Sequence, residues 1–203
     1  PACLLLDEPI SSLDKGARAE IRALLREIHD QRTAILHVTH DYEEALALAD
    51  RIGIMENGTI VQTGTPREVF TRPRSEFVAD FVGVRNFFRG ELVDRDGELK
   101  EFRTDGVSFA VLTDQKPGRG NIIIRSTDIT ISAERVSTSA RNCFRARVSD
   151  FFPARPGIEV IMDTGVELAV MVTEQSFESI DIRRGAELFV SIKASAIKFM
   201  RVE

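Results

Sequence analysis

Cys3-Leu4-Leu5-Leu6-Asp7-Glu8-Pro9 is an unbroken apolar run that stops at two acids and a proline. A run of this kind reads as a short strand buried on both faces, as in parallel sheets. The residues after it keep the pattern. Ile21, Leu24, Leu25 and Ile28 recur at helical spacing with charges between them, behind Asp14, a good N-cap residue type. Ala34-Ile35-Leu36-His37-Val38 is a second apolar strand, and Asp41 with Glu44 has the spacing of a capping box opening a second helix. Arg51 to Met55 and Thr59 to Gln62 flank Asn57-Gly58, a strong hairpin signal. Strand and helix alternate, so residues 1–65 are expected to be α/β.

The acids gain meaning from that placement, because open α/β sheets bind ligands at the carboxyl ends of their strands. Asp7 there can hold a magnesium ion that bridges nucleotide phosphates. Glu8 can orient or deprotonate an attacking water. His40 ends the next strand and arrives at the same edge, where its imidazole can contact a terminal phosphate. A metal pair of His37 and His40 is not expected, since strand residues three apart point to opposite faces.

From Pro66 to Arg85 the character changes. Glu68 to Phe70 and Phe77 to Phe81 read as short helices, a connector packed on the first domain. Beyond Asn86 the helical period vanishes. Short strands follow at Phe88–Val93, Val107–Leu112, Ile122–Arg125 and Ile129–Ser132. A second series runs Phe144–Ser149, Ile158–Met162, Glu167–Val172, Glu187–Ile192 and Ile197–Val202, with one helix at Glu174–Ile180. Residues 86–203 are therefore expected to form all-β barrel structure of the oligonucleotide/oligosaccharide-binding (OB) kind. Asn86 and Asn142 each open a similar run, which suggests an internal duplication. Gly118-Arg119-Gly120 reads as a turn.

The net charge of −5 argues against a nucleic-acid binder, which needs a basic surface. Cys3 and Cys143 form no metal-spacing pair and fit a reducing compartment. No apolar run is long enough to span a bilayer, and the run Cys3–Leu6 is too short for a secretory signal. Membrane association is expected to go through a protein partner. The chain opens abruptly at an apolar strand without a start methionine, so it is expected to be a fragment.

At this point the motifs resemble a known family. Leu4 to Pro9 is similar to the Walker B strand of the ATP-binding-cassette (ABC) transporter ATPases, Ser11-Ser12-Leu13-Asp14 to their D-loop, and Val38-Thr39-His40-Asp41 to their switch-histidine segment. The order and spacing of all three match. The resemblance implies Asp7 for magnesium, Glu8 as general base, Asp14 at a homodimer interface, and His40 as the phosphate sensor. It also implies ATP as cofactor, membrane permease subunits as partners, and a cytoplasmic place on the inner face of the cell membrane. The phosphate-binding loop Gly-x-x-x-x-Gly-Lys-Ser/Thr, the glutamine loop and the Ser-Gly-Gly signature do not occur in the chain. The chain alone is therefore expected neither to bind ATP tightly nor to hydrolyse it. Part of an α/β domain leaves an open sheet edge and bare apolar surface. Residues 1–65 are accordingly expected to be partly disordered, swapped or paired between copies, and residues 86–203 well ordered.

The distal part resembles the regulatory module of importers within that family. Gly64-Thr65-Pro66 to Phe70 and Phe77 to Gly83 are similar to the lead into that module. Ile124 to Ile129 resembles one of its strands but departs at Ser126-Thr127, to which no role is given. Ser139-Ala140-Arg141-Asn142, Thr173 with Ser176, and Lys193-Ala194-Ser195 are similar to the molybdate-binding, molbindin-like (TOBE) domain; Ala146 stands where that family often has glycine. A tetrahedral dianion needs N–H and O–H donors converging from several segments, plus positive charge. Ser139 and Ser195 offer hydroxyls, Lys193 a cation, and Thr173 and Ser176 a helix start. The resemblance implies a molybdate or tungstate site mainly within residues 136–203, shared between domains or subunits. Two readings stand. One is the ATP-binding subunit of a molybdate/tungstate importer inhibited by its own oxyanion, with sulfate, sugar or polyamine importers as rivals. The other is an oxyanion-binding module without ATPase activity.

Overall fold

The structure is a computed structural model and describes residues 3–95 and 98–202. It divides into two units, residues 1–82 and 83–203.

In the first unit, β1 (Cys3–Asp7) pairs in parallel with β2 (Ala34–Val38), joined through α1 (Lys15–Asp30). Asp14 caps α1, its carboxylate accepting from the amides of Gly16 at 2.8 Å and Ala17 at 3.0 Å. α2 (Tyr42–Leu48) follows, then the hairpin β3 (Ile52–Glu56) and β4 (Thr59–Gly64) turning at Asn57-Gly58. The hairpin leads into α3 (Pro66–Thr71) and α4 (Glu76–Phe81). α3 opens with a complete capping box: the Glu68 amide donates to the Thr65 hydroxyl, and the Thr65 amide donates to the Glu68 carboxylate at 2.8 Å. That bond is the main cause holding the Glu68 carboxyl below its ordinary range.

One expectation is corrected here. β1 is covered on one face only: Leu4 and Leu6 are half-buried, while Leu5 is 72% exposed, with Leu36 and Val38 exposed beside it. The apolar run belongs to a two-face strand, but among the described residues β1 and β2 pair only with each other. The open edge and bare apolar face expected for this segment are present.

The second unit holds β5 (Asn86–Asp94), β6 (Lys100–Arg103), β7 (Ser108–Val111), β8 (Gly118–Ile124) and β9 (Ile129–Ser132), then β10 (Asn142–Ala154), β11 (Gly157–Asp163), β12 (Glu167–Val172), α5 (Glu174–Ser179), β13 (Glu187–Ile192) and β14 (Lys198–Arg201). They form two five-stranded antiparallel sheets, ordered β14-β8-β5-β6-β7 and β12-β11-β10-β13-β9. Each sheet takes its fifth strand from the other series: β9 crosses to pair with β13, and β14 returns to pair with β8. Apolar residues on alternating positions of both sheets meet in one core, with Leu92, Phe102, Phe109, Ile122 and Ile124 against Val148, Val160, Met162, Leu168 and Val190. A sheet with one buried face gives this alternation.

The duplication is visible in detail. The Asn86 side chain donates to Ala169 O at 2.8 Å and accepts from Ala169 N at 2.7 Å. Asn142 does the same to Ala110, at 2.9 and 2.7 Å. Each half thus clasps a strand of the other. The turns at Gly106 and Gly165, both at positive φ, meet each other: a Cβ on Gly106 would lie 2.5 Å from Gly165 O.

Gly118-Arg119-Gly120 is not a turn but the start of β8. Glycine in a strand often marks a close approach, and a Cβ on Gly120 would lie 2.4 Å from the Phe199 ring and 2.5 Å from Met200 O. Gly120→Ala is expected to destabilise this unit by about 1–3 kcal/mol, as overpacking against backbone does. A urea midpoint unchanged from wild type would contradict that close approach.

Candidate functional site

Asp7 and Glu8 stand at the carboxyl end of β1, beside Val38 at the end of β2. Glu8 adopts φ 47°, a left-handed conformation uncommon away from glycine. Its amide donates to Val38 O at 2.9 Å. Its carboxylate Oε1 takes the His40 amide at 3.0 Å and meets His40 Nδ1 at 2.5 Å. Sequence spacing predicted that β1 and β2 would bring these groups to one edge, and they meet there. Asp14 is exposed, and its carboxylate caps its own helix.

The Glu8–His40 bond is the largest influence on both groups, holding the Glu8 carboxyl below its ordinary range and the His40 imidazolium above its own. His40's share of the stabilisation is full below the ordinary imidazole pKa and is lost as pH rises through the raised value. Glu8's share is present above the ordinary carboxyl pKa and is lost as pH falls through the lowered value. The charged pair is therefore intact between the lowered Glu8 value and the raised His40 value. Glu8→Gln is expected to lower the His40 titration, followed by NMR of the ring protons, toward the ordinary imidazole range. A His40 titration indifferent to that substitution would mean that the contact does not form in solution.

Asp7 is exposed and offers one carboxylate. No group of three His, Cys, Asp or Glu residues suited to a metal ion occurs among the described residues. Asp7 fits a magnesium ion whose other ligands are phosphate oxygens and water, and does not fit an all-protein cage.

In the second unit, Asn142 pairs with Ile192 as the last rung of the antiparallel β10–β13 ladder, so Arg141 and Lys193 both follow just past that rung, at one end of the sheet. Ser139, Arg141, Lys193 and Ser195 are exposed, and Ala194 is buried with its carbonyl accepting from Leu112 N at 3.1 Å. The Ala140 amide is taken by the Thr138 hydroxyl at 3.1 Å. The Asn142 side chain is buried and committed, since beyond its clasp on Ala110 it donates to Ile192 O at 3.3 Å. Arg141, Lys193, Ser139 and Ser195 are the groups left facing water.

Thr173 and Ser176 are not with them. Thr173 follows the Ile158–Val172 rung at the other end of the sheet, past Ala154 at the far end of β10. Strand rise is roughly 3.3 Å per residue, so the length of β10 separates the two groups within one chain. Thr173 caps α5: its hydroxyl accepts from Ser176 N at 3.1 Å and donates to Ser176 Oγ at 2.9 Å.

The duplication points to a segment that the sequence reading left without a role. Ile124-Arg125-Ser126-Thr127 occupies in the first series the place of Ile192-Lys193-Ala194-Ser195 in the second, each ending a strand with a 3-10 turn. The Ser126–Asp128 turn packs against β12, the strand that ends at Thr173. The shared pattern of isoleucine, cation, one residue and hydroxyl was the signal available in the sequence.

The TOBE domain profile matches residues 138–199. A molybdate/tungstate import ATP-binding protein (WtpC) of Pyrococcus horikoshii is 38% identical over 199 residues, 97% of this chain and 56% of that protein. A spermidine/putrescine import ATP-binding protein (PotA) of Trichormus variabilis is 36% identical, over 73% of this chain and 40% of its own length. An Fe(3+) ions import ATP-binding protein (FbpC) of Rhizobium etli is 41% identical, over 66% and 38%. The chain thus spans about half the length of the curated relatives it matches. Among solved structures, a cytoplasmic molybdate-binding protein, ModG, matches with a TM-score of 0.48 at 19% identity, over 58% of this chain and 96% of that one.

Proposed function

We propose that this chain, which belongs to the ATP-binding subunits of ABC importers and carries a TOBE domain at residues 138–199, comes from a subunit that powers molybdate or tungstate uptake and is inhibited when its barrel binds that oxyanion. The observation that carries the reading is that Arg141 and Lys193, both exposed, directly adjoin the paired residues Asn142 and Ile192, with exposed Ser139 and Ser195 two residues beyond them along each segment. Adjacent cations repel unless an anion joins them, and hydroxyl donors complete the shell of a tetrahedral dianion. The relatives add support. Two relatives that match over 97% and 98% of the chain are named for molybdate/tungstate import, while a third of that name matches 73%, as the polyamine relative does, and the iron relative matches 66%.

In the whole subunit, Asp7 would hold magnesium, Glu8 would accept a proton from the attacking water, and His40 would contact the terminal phosphate. ATP bound with its magnesium supplies the phosphoryl group and the charge that the ion neutralises. Glu8 and His40 are already bonded to each other here, so the pair has to part, or share Glu8 with water, before Glu8 acts as a base. The subunit would work as a homodimer on membrane permease subunits, at the inner face of the cell membrane. No helix among the described residues is long and apolar enough to cross a membrane. Inhibition by the oxyanion is a coupling between two binding sites, so it has to be reciprocal at equilibrium.

Titration calorimetry of this chain tests the ligand directly. Molybdate and tungstate are expected to bind at least tenfold more tightly than sulfate. Equal affinity for sulfate would remove the assignment.

A further inference from the structure

Glu44 lies three residues after the helix cap Asp41, where a glutamate ordinarily turns back to the cap's own amide. It does something else. Asp41 takes the amides of Glu43 and Glu44 at 2.9 and 3.2 Å, so the helix is already capped. The Glu44 side chain turns inward and leaves the residue 3% exposed. Its Oε2 accepts from the Thr39 hydroxyl at 2.9 Å. The Thr39 oxygen in turn accepts from the Asp41 amide at 3.1 Å. Its Oε1 approaches His37 Nε2 at 3.1 Å; both atoms are sealed from solvent, and the contact is not aligned as a hydrogen bond. A carboxylate buried this far is costly unless its partners hold it in place.

We propose that Glu44 is a positioning residue for His40: it ties the end of β2, through His37 and Thr39, to the start of α2, so that the peptide between them presents both its amide and its ring to Glu8. His40 makes both of its bonds to one oxygen, Glu8 Oε1. That geometry fixes the peptide plane and the ring together, and a small rotation of the segment breaks both. The residues on either side of His40 are held by the Glu44 chain, Thr39 directly and Asp41 through Thr39. The acids that act on His40 are Glu8 from β1 and Asp41 and Glu44 from α2 and its cap. The Glu44 charge is the weakest of these influences, which leaves its position rather than its charge as the route by which it acts. The proposal rests on the reading of Glu8 and His40 as a working pair and is independent of the barrel.

The test uses this chain, with ring-proton NMR on wild type, Glu44→Gln, Glu44→Ala and Thr39→Val. His29, on α1 and beside Asp50, is the internal reference for a folded first unit. Glu44→Gln keeps an acceptor for the Thr39 hydroxyl, so His40 is expected to retain most of its raised titration. Glu44→Ala and Thr39→Val are expected to lose it, with the His29 ring-proton chemical shifts at a fixed pH unchanged. Should Glu44→Ala not fold, Thr39→Val carries the same expectation. Two results would overturn the proposal. One is a His40 titration unmoved in both Glu44→Ala and Thr39→Val. The other is a complete loss in Glu44→Gln, which would make Glu44's charge, not its place, the cause. If wild-type His40 shows no raised titration, the pairing with Glu8 itself falls, and the proposal falls with it.

Discussion

Asn142→Ala is expected to destabilise the second unit by about 3–5 kcal/mol, because it strands several buried backbone groups at once. The Asn142 carboxamide donates to Ala110 O and Ile192 O and accepts from Ala110 N. The residue is 3% exposed, so water has little access to what the substitution leaves behind. An unsatisfied buried donor or acceptor costs about 1–3 kcal/mol, and relaxation recovers part of the total. Against a total stability of roughly 5–15 kcal/mol, that loss is decisive. Asn142→Asp is expected to do no better, since an ionised carboxylate cannot donate to either carbonyl. Asn86→Ala, which breaks the matching clasp on Ala169, is expected to cost about 2–4 kcal/mol. Urea unfolding followed by circular dichroism measures all three. If Asn142→Ala unfolds at the wild-type midpoint while oxyanion affinity drops, the side chain is a ligand and not a clasp.

That prediction shows where the sequence was readable and where it was not. Asn142 stood in a motif that resembles an oxyanion site, and its spacing says nothing about which atom of the motif faces a ligand. Its partner Ala110 is distant in sequence, on a strand of the other half. The alternation that revealed β5, β8 and β10 is local, so those strands were legible. β6 was not, because Lys100-Glu101-Phe102-Arg103 carries one apolar residue among charges, although Phe102 is fully buried. The exchange of β9 and β14 between sheets is a matter of long-range pairing, which no local pattern encodes. In the first unit the order of strand, acids and histidine was enough to bring Glu8 to His40. The inward turn of Glu44 was not legible, because the same spacing also serves an ordinary capping box.

The separation of Thr173 and Ser176 from Arg141 and Lys193 leads to the other large effect. If all four groups serve one oxyanion, donors from two copies of the chain have to meet, since in one copy they lie at opposite ends of a sheet. A two-fold dimer then holds two equivalent sites, each with Lys193 from one protomer and Thr173 and Ser176 from its partner. Lys193→Ala removes a charge-assisted contact of about 1.5–3 kcal/mol, a ten- to hundredfold loss of affinity. Thr173→Val with Ser176→Ala is expected to lose a similar amount, and the lost helix cap costs a further ~1 kcal/mol in stability alone. The informative sample is the equal mixture of the two variants. Half of its dimers are mixed, and each mixed dimer has one site with both sets intact, so about a quarter of all sites should regain wild-type affinity. Sedimentation should show oxyanion driving the chain toward the dimer, because a ligand that binds only the assembled form stabilises it by mass action. If the mixture binds no better than either variant alone, the donors do not meet across protomers. Thr173 would then keep its place as the cap of α5, and the anion shell would have to be built from Ser139, Arg141, Lys193 and Ser195 at one end of the barrel.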